Sequence, residues 1–518
     1  MPLFDAGGTG SEFRQKLIGF LSGYCTTTTV KVVVASLASG NVTVRANSVD
    51  YTVTLAALAG VMFVGSTTLT GLTAGTRYAV TLTQGANVEA DCATWTAPTA
   101  GTNFRLYYAS CDDPGVVGAT NGDNTGGGMW RRIAEYALNQ STARRVYCLF
   151  HDDFCYSSRY AINGTEKQTS GVPGTTALQA DYAVTYANAL GLLGGTDNKI
   201  KWGQNVWRMM ALRSMPVFPQ FGDWEFDDDL GWDLAFPNDD FIARPALGDP
   251  NYVAGKAVWD VIFGPLQPPS IGSADTTANH WSITLGDVKI VVPDGITRST
   301  GQYHYDAPAV FTTMTAILGV NQITDILTAL DSTVAFKVLS MSLGVRYMCD
   351  PALAYEFNAG QQHPIEPHCL NEHQRLYSRS GLTPPSIMAN AKLNGGTGKL
   401  IAWHGDTHVA SLFENRRAGY TDGAGTHVAE NWDSWFIGTI NGSQNFVLQA
   451  EAVPYHTAGS GYGGTTVVWT QLDDDSSAAR RHCFSLYADV VGTATPKQFN
   501  CAIIDRAGTV KASRSYTV

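Results

Sequence analysis

The chain carries little charge for its length. Asp, Glu, Lys and Arg make up 15% of its 518 residues, against roughly 25% in an average globular protein. Cations are the scarcer sign: 34 Lys and Arg stand against 45 Asp and Glu, a formal net charge of −11. That balance argues against a nucleic-acid backbone as the main partner, because neutralising phosphates takes a surplus of basic residues. No run approaches the ~18 consecutive apolar residues that a membrane-crossing helix needs. The apolar stretch within residues 16–25 is too short for an export signal, follows acidic residues, and lacks a clear cleavage site. Nine cysteines, at 25, 92, 111, 148, 155, 349, 369, 483 and 501, include no Cys-x-x-Cys pair, which removes the zinc-ribbon spacing. Most of them are expected as small buried hydrophobes, and their odd number leaves at least one thiol unpaired within the chain.

What is present suits strands and turns. Hydrophobic residues reach 44%, enough for a sizeable core, and 53 glycines are scattered among Thr, Ala and Ser. The length predicts about three domains at roughly 150 residues each. Residues 1–25 are expected to form an N-terminal arm. Residues 26–98 carry short runs at 30–34, 41–46 and 51–55, two of them alternating apolar and polar as half-buried strands do. The stretch 69–82, with Tyr78 before a strand-like run, resembles the corner of an immunoglobulin or fibronectin III-like sandwich, where a tyrosine hydroxyl bonds back to the turn. Residues 96–101 read as its exit linker.

From residue 102 to 518 the texture changes. Strands are expected at 104–110, 146–150, 216–218, 288–292, 336–340 and 399–403, and helices at 129–138 and around 205–213. Met129, Trp130, Ile133 and Tyr136 or Ala137 share one face of the first helix. Strands alternating with helices indicate an α/β layered sheet core flanked by helices. An insertion is expected around 225–310, and the chain ends in a β-rich part.

In open α/β sheets, ligands bind beyond the carboxyl ends of the strands. Each predicted strand is followed there by polar, chemistry-bearing residues: Ser110-Cys-Asp-Asp113, His151-Asp-Asp-Phe-Cys-Tyr156, Gly222-Asp-Trp-Glu225 with Asp227-Asp-Asp229, and His404-Gly-Asp-Thr-His408. Carboxylates gathered at one sheet edge repel one another unless protonated or neutralised, and a multivalent cation is the economical remedy.

Taken in order, these motifs resemble the PhoD-like alkaline phosphatases and phosphodiesterases of the metallophosphoesterase superfamily. The resemblance rests on Ala109-Ser-Cys111, Asp153-x-x-Tyr156, Pro216-Val followed by Gly222-Asp-x-Glu225, and Gly405-Asp-x-His408. Ile317-Leu-Gly-Val-Asn-Gln322 and the strand-like run after it, the N-terminal sandwich, and Asp505-Arg-Ala-Gly-Thr-Val510 also fit. It implies a metal-dependent hydrolase of phosphate mono- or diesters that holds Fe3+ and Ca2+. Cys111 would be the thiolate and Tyr156 the phenolate ligand of the iron, and Asp153 the bridging carboxylate. Asp223, Asp406 and His408 would complete the metal ligands. Thiolate and phenolate suit a transition metal and carboxylates a harder ion on chemical grounds too. Arg159 and Arg298 are candidate phosphate contacts, since guanidinium matches phosphate geometry. The resemblance also implies an extracellular or periplasmic location.

This sequence departs from the family pattern in its third motif. Trp224 stands where the family carries a histidine, and an indole cannot transfer a proton in that role; Asp152 replaces the usual glycine of the second motif. We expect His404 to be the catalytic group that compensates. The alternative is a catalytically weakened relative that binds a ligand or builds an assembly such as a virus particle. A third reading, a glycosidase using Asp223 and Glu225, leaves Cys111, Tyr156 and His408 without a role.

Overall fold

The structure is a computed structural model. It describes residues 16–112, 128–138, 145–150, 154, 175–193, 206–220, 250–272, 279–294, 320–341, 398–405, 410–417, 420–422, 425–427, 430–437, 465–470, 484–505 and 507–518. Seven antiparallel strands come first: β1 (Ile18–Cys25), β2 (Val30–Ser36), β3 (Gly40–Ala46), β4 (Val49–Leu58), β5 (Met62–Leu69), β6 (Arg77–Gln84) and β7 (Asn87–Trp95). Their order is β1-β2-β5-β4-β3-β6-β7. One end of β4 pairs with β3 and the other with β5, so a single strand links the two halves. β3 alternates buried Val42 and Val44 with outward residues. The Tyr78 hydroxyl accepts the Thr73 backbone N–H at 2.7 Å.

The expectation of an arm over residues 1–25 is corrected for its second half. Ile18–Cys25 is strand β1, paired with β2 from Ile18 to Ser22 and again at Cys25, with a register shift between. Its apolar residues are buried against the following region, with Leu190 beside Gly19 and Leu266 beside Gly23. A Cβ at Gly23 would lie 2.5 Å from the Leu266 carbonyl oxygen, so this close approach requires glycine.

The chain continues through β8 (Asn103–Ala109), α1 (Gly128–Leu138), β9 (Arg145–Phe150), α2 (Thr175–Ala189), α3 (Val206–Leu212) and β10 (Val217–Phe218). Next come α4 (Pro250–Ile262), β11 (Trp281–Leu285), β12 (Val288–Val292), α5 (Val320–Leu330), β13 (Phe336–Met341) and β14 (Lys399–His404). Then follow β15 (Ser411–Arg417), the hairpin of β16 (Tyr420–Asp422) and β17 (Gly425–His427), β18 (Glu430–Phe436) and β19 (Thr465–Thr470). β20 (Phe484–Val491), β21 (Gln498–Asp505) and β22 (Val510–Thr517) end the chain. The insertion expected around 225–310 is likewise corrected: its described part contributes β11 and β12 to a principal sheet, and α4 to the covering of the N-terminal strands.

Two mixed sheets result, ordered β10-β9-β8-β20-β21-β22 and β11-β12-β13-β14-β18-β15-β19. They pack face to face. Alternate residues of β8 show why: Phe104 and Tyr108 point toward the second sheet, with Tyr108 5.4 Å from the Trp403 ring, while Tyr107 points outward to Tyr136 of α1 at 5.8 Å. β13 and β14 are buried on both faces. Val338, Ile401 and Trp403 belong to the core between the sheets, while Leu339, Leu400 and Ala402 pack with Ile326 and Leu330 of α5. Their near-continuous apolar text follows from that double covering.

The parallel strands of both sheets run the same way. Phe104 approaches Gly286, and Phe336 stacks on Phe499 at 5.3 Å, where the strands begin. At the opposite edge Gln220, just past β10, exchanges hydrogen bonds of 3.3 and 3.4 Å with Ser340 of β13. The carboxyl ends of β8, β10, β13 and β14 therefore share one edge.

Candidate active site

β8 delivers Ser110, Cys111 and Asp112 to that edge, all buried. Cys111 has φ 57°, in the left-handed region. A side chain there costs roughly 1–2 kcal/mol, and such strain gathers at functional sites. The turn gives Cys111 and Asp112 different neighbours. The Cys111 sulfur lies 3.0 Å from Ser110 Oγ. Asp112 turns to the opposite partner set: its Oδ2 accepts Arg208 Nε at 2.5 Å and its Oδ1 accepts Trp130 Nε1 at 3.2 Å. Asp112 is thus committed to a buried ion pair with α3, although its place in the Ser110-Cys-Asp-Asp113 cluster gave no sign of this.

The same guanidinium reaches the next motif. Arg208 also donates to the Ala189 carbonyl at 2.7 Å and the Phe154 carbonyl at 3.5 Å. Phe154 is the first of the two residues between Asp153 and Tyr156 in the sequence. It is buried, and its ring meets Phe263 edge-on at 5.2 Å.

His404 ends β14 in register with Met341 of β13 and Phe436 of β18. It is fully buried, and its ring centroid lies 4.7 Å from that of Phe436. Nδ1 is 3.3 Å from the Met341 carbonyl oxygen. A carbonyl only accepts, so Nδ1 carries the proton and Nε2 keeps the lone pair in the neutral ring. At the neighbouring end of β12, Gln322 of α5 clamps the backbone of buried Asp294, accepting its N–H at 2.7 Å and donating to its carbonyl at 3.0 Å. Gln322 belongs to the Leu-Gly-x-x-Gln stretch noted in the sequence, and Asp294 opens the segment leading to Arg298.

Of the expected site residues, the structure brings Cys111 and His404 to the same sheet edge. Asp153, Tyr156, Asp223, Asp406, His408, Arg159 and Arg298 lie outside the described residues, as do His151 and Trp224. Arg208 and Trp130 were missed, since the Arg208 to Asp112 contact spans 96 residues and no local pattern announces it. The donor chemistry at Cys111 fits a thiophilic transition metal: a buried sulfur stands at a strained strand end, beside a carboxylate already neutralised by an arginine.

No family model and no curated protein matches the chain. Among solved structures, one titled "Structure of PhoD" aligns at a TM-score of 0.61 and 12% identity, covering 98% of this chain and 93% of that one. A putative alpha amylase from Salmonella typhimurium aligns at a TM-score of 0.13 and 12% identity, too low to carry an argument. The chain therefore has a PhoD-like fold from its N-terminal strands to its last sheet.

Proposed function

We propose that this protein is a metal-dependent phosphoesterase acting on phosphate mono- or diesters. The observation that carries the reading is Cys111, a buried thiol in a left-handed turn at the carboxyl end of β8, within a PhoD-like fold spanning 98% of the chain. Cys111 and Tyr156 would hold a ferric ion, Asp153 would be the bridging carboxylate, Asp223 would bind a second, harder cation such as calcium, and Asp406 and His408 would complete the metal ligands. Bound there, the metals would supply an activated hydroxide and polarise the phosphoryl oxygens.

The remaining roles fall to the chain itself. His404, with its proton fixed on Nδ1, offers Nε2 as a base or hydrogen-bond acceptor at the sheet edge and takes over from the histidine that Trp224 replaces. Gln322 fixes the backbone at Asp294, four residues before Arg298 in the sequence, and Arg298 and Arg159 would contact the phosphate. The N-terminal sandwich is of the immunoglobulin or fibronectin III type, a reading supported by the Tyr78 hydroxyl on the Thr73 N–H. An extracellular or periplasmic setting accompanies this reading.

The test is elemental analysis of the purified protein together with turnover of nitrophenyl phosphate mono- and diesters, with Asp153→Asn as the control. Bound iron and turnover lost in Asp153→Asn are expected. Bound iron without turnover would favour the weakened, structural relative, and absence of any bound metal would overturn both.

A further inference from the structure

We infer that Arg208 is a positioning residue that holds two metal-ligand loops in register, an inference that rests on the function proposed above. Its guanidinium has no exposed surface, and the Asp112 side chain is 3% exposed. Three of its donors go to three different places: Asp112 next to Cys111, the Phe154 carbonyl between Asp153 and Tyr156, and the Ala189 carbonyl at the end of α2. Its flat faces are framed by aromatic rings, with the guanidinium carbon 5.0 Å from the Phe154 ring centroid and 5.7 Å from that of Trp130. Trp130 in turn donates to the other oxygen of Asp112.

The chemistry explains why arginine stands there. A buried ion pair is weak evidence for stability, because apolar side chains of similar volume fill such space equally well. What they cannot do is bond simultaneously to the turns of two separate strands. A planar fork with fixed donor directions does this, whereas a lysine ammonium is a single point charge on a flexible stem. Cys111 and Phe154 follow different strands, β8 and β9, whose paired register runs as far as Ala109 and Phe150 and no further into the turns. Arg208 spans the two. Its role is to act through Asp112 and Phe154, the residues beside the proposed ligands. Groups that orient metal ligands in this way change metal affinity or activity by about 10- to 100-fold when altered.

The experiment loads the purified 518-residue chain with iron and follows iron release to a chelator. Arg208→Lys and the volume-conserving Asp112→Asn are compared with wild type. Arg105→Lys is the comparator, because it disrupts a different ion pair, the part-buried one to Asp489 on β20, away from the site edge. Circular dichroism and thermal unfolding report folding. Arg208→Lys and Asp112→Asn should release iron about 10- to 100-fold faster than wild type, with Arg105→Lys near the wild-type rate even where its thermal stability falls as far. If Arg208→Lys fails to fold, Asp112→Asn carries the comparison alone. Release at the wild-type rate, or no faster than in Arg105→Lys, overturns the positioning role while the proposed function stands. A wild-type protein that takes up no iron, and behaves as Cys111→Ser does, overturns the functional reading and this inference with it.

Discussion

The rings of Tyr108 and Trp403 meet at 5.4 Å between centroids and 46° between planes. They come from different sheets, three residues before Cys111 and one before His404. This contact fastens the sheets at the edge where the candidate site lies.

Trp403 also stacks on Phe499 at 6.1 Å, so it joins three strands of the core. Trp403→Ala should cost about 3–5 kcal/mol through lost transfer and the cavity left behind. Urea unfolding checks this. Trp403→Phe, which keeps an aromatic ring between the sheets, should lose clearly less, and equal losses in both variants would deny the ring contact its role.

Cys111→Ser tests the strained turn separately from the metal. Serine keeps the size and the left-handed backbone, so thermal stability without metal should change by less than about 1 kcal/mol. A hydroxyl is a poor substitute for a thiolate toward a transition metal. Iron content should therefore fall at least about 10-fold. Full iron occupancy in the serine variant would remove Cys111 from the ligand set.

The parts of the fold that were legible in the sequence are those whose signal is local. β12 is read at its observed limits, and β13 and β14 fall one residue short, because short apolar runs bounded by turns are what a doubly covered strand requires. α1 is equally plain, with Met129, Trp130, Ile133 and Ala137 buried on one face. β1 is not, because its apolar residues become a strand only through β2 and the helix-side covering at Gly23 and Leu266, contacts with no trace in residues 16–25. α2 escapes for a related reason. Tyr182, Ala183, Tyr186 and Ala187 are buried, yet its sequence shows no clear polar and apolar division. The arrival of Cys111 and His404 at one sheet edge could be read from their places at the ends of predicted strands. The commitment of Asp112 to Arg208 could not, since it depends on α3 packing near the end of β8.

His404 and Trp224 make a paired prediction. The Nδ1–H bond to Met341 orients the His404 ring, and removal of a general acid or base costs typically 10²- to 10⁴-fold. His404→Ala should lower phosphoesterase turnover by about 100-fold or more while metal content stays full. Trp224→His, which restores the imidazole of the family pattern, should raise turnover and partly rescue His404→Ala. Unchanged turnover in His404→Ala at full metal occupancy would assign the ring a packing role against Phe436.

Asp91 gives a pH dependence at the seam between the N-terminal strands and the rest of the chain. Burial alone would raise its carboxyl, but the charges of Arg213 and Lys16 and their hydrogen bonds overcome that and hold it at about 2, below the ordinary 3.8. Arg213 donates to Asp91 at 2.8 Å and to the Ile18 carbonyl of β1 at 2.8 Å, so the charge also anchors a strand. Because the folded carboxyl is the stronger acid, the unfolded chain binds more protons between these values. The stabilisation is complete above about pH 4 and is lost as pH falls toward 2. With the Asp91 side chain 29% exposed, screening leaves on the order of 1–2 kcal/mol. Chemical unfolding at pH 4.5 and pH 2.5 measures it. Wild type should lose that much more stability than Asp91→Asn over the interval, and parallel losses in the two proteins would show that the Arg213 to Asp91 pair contributes nothing to the acid response.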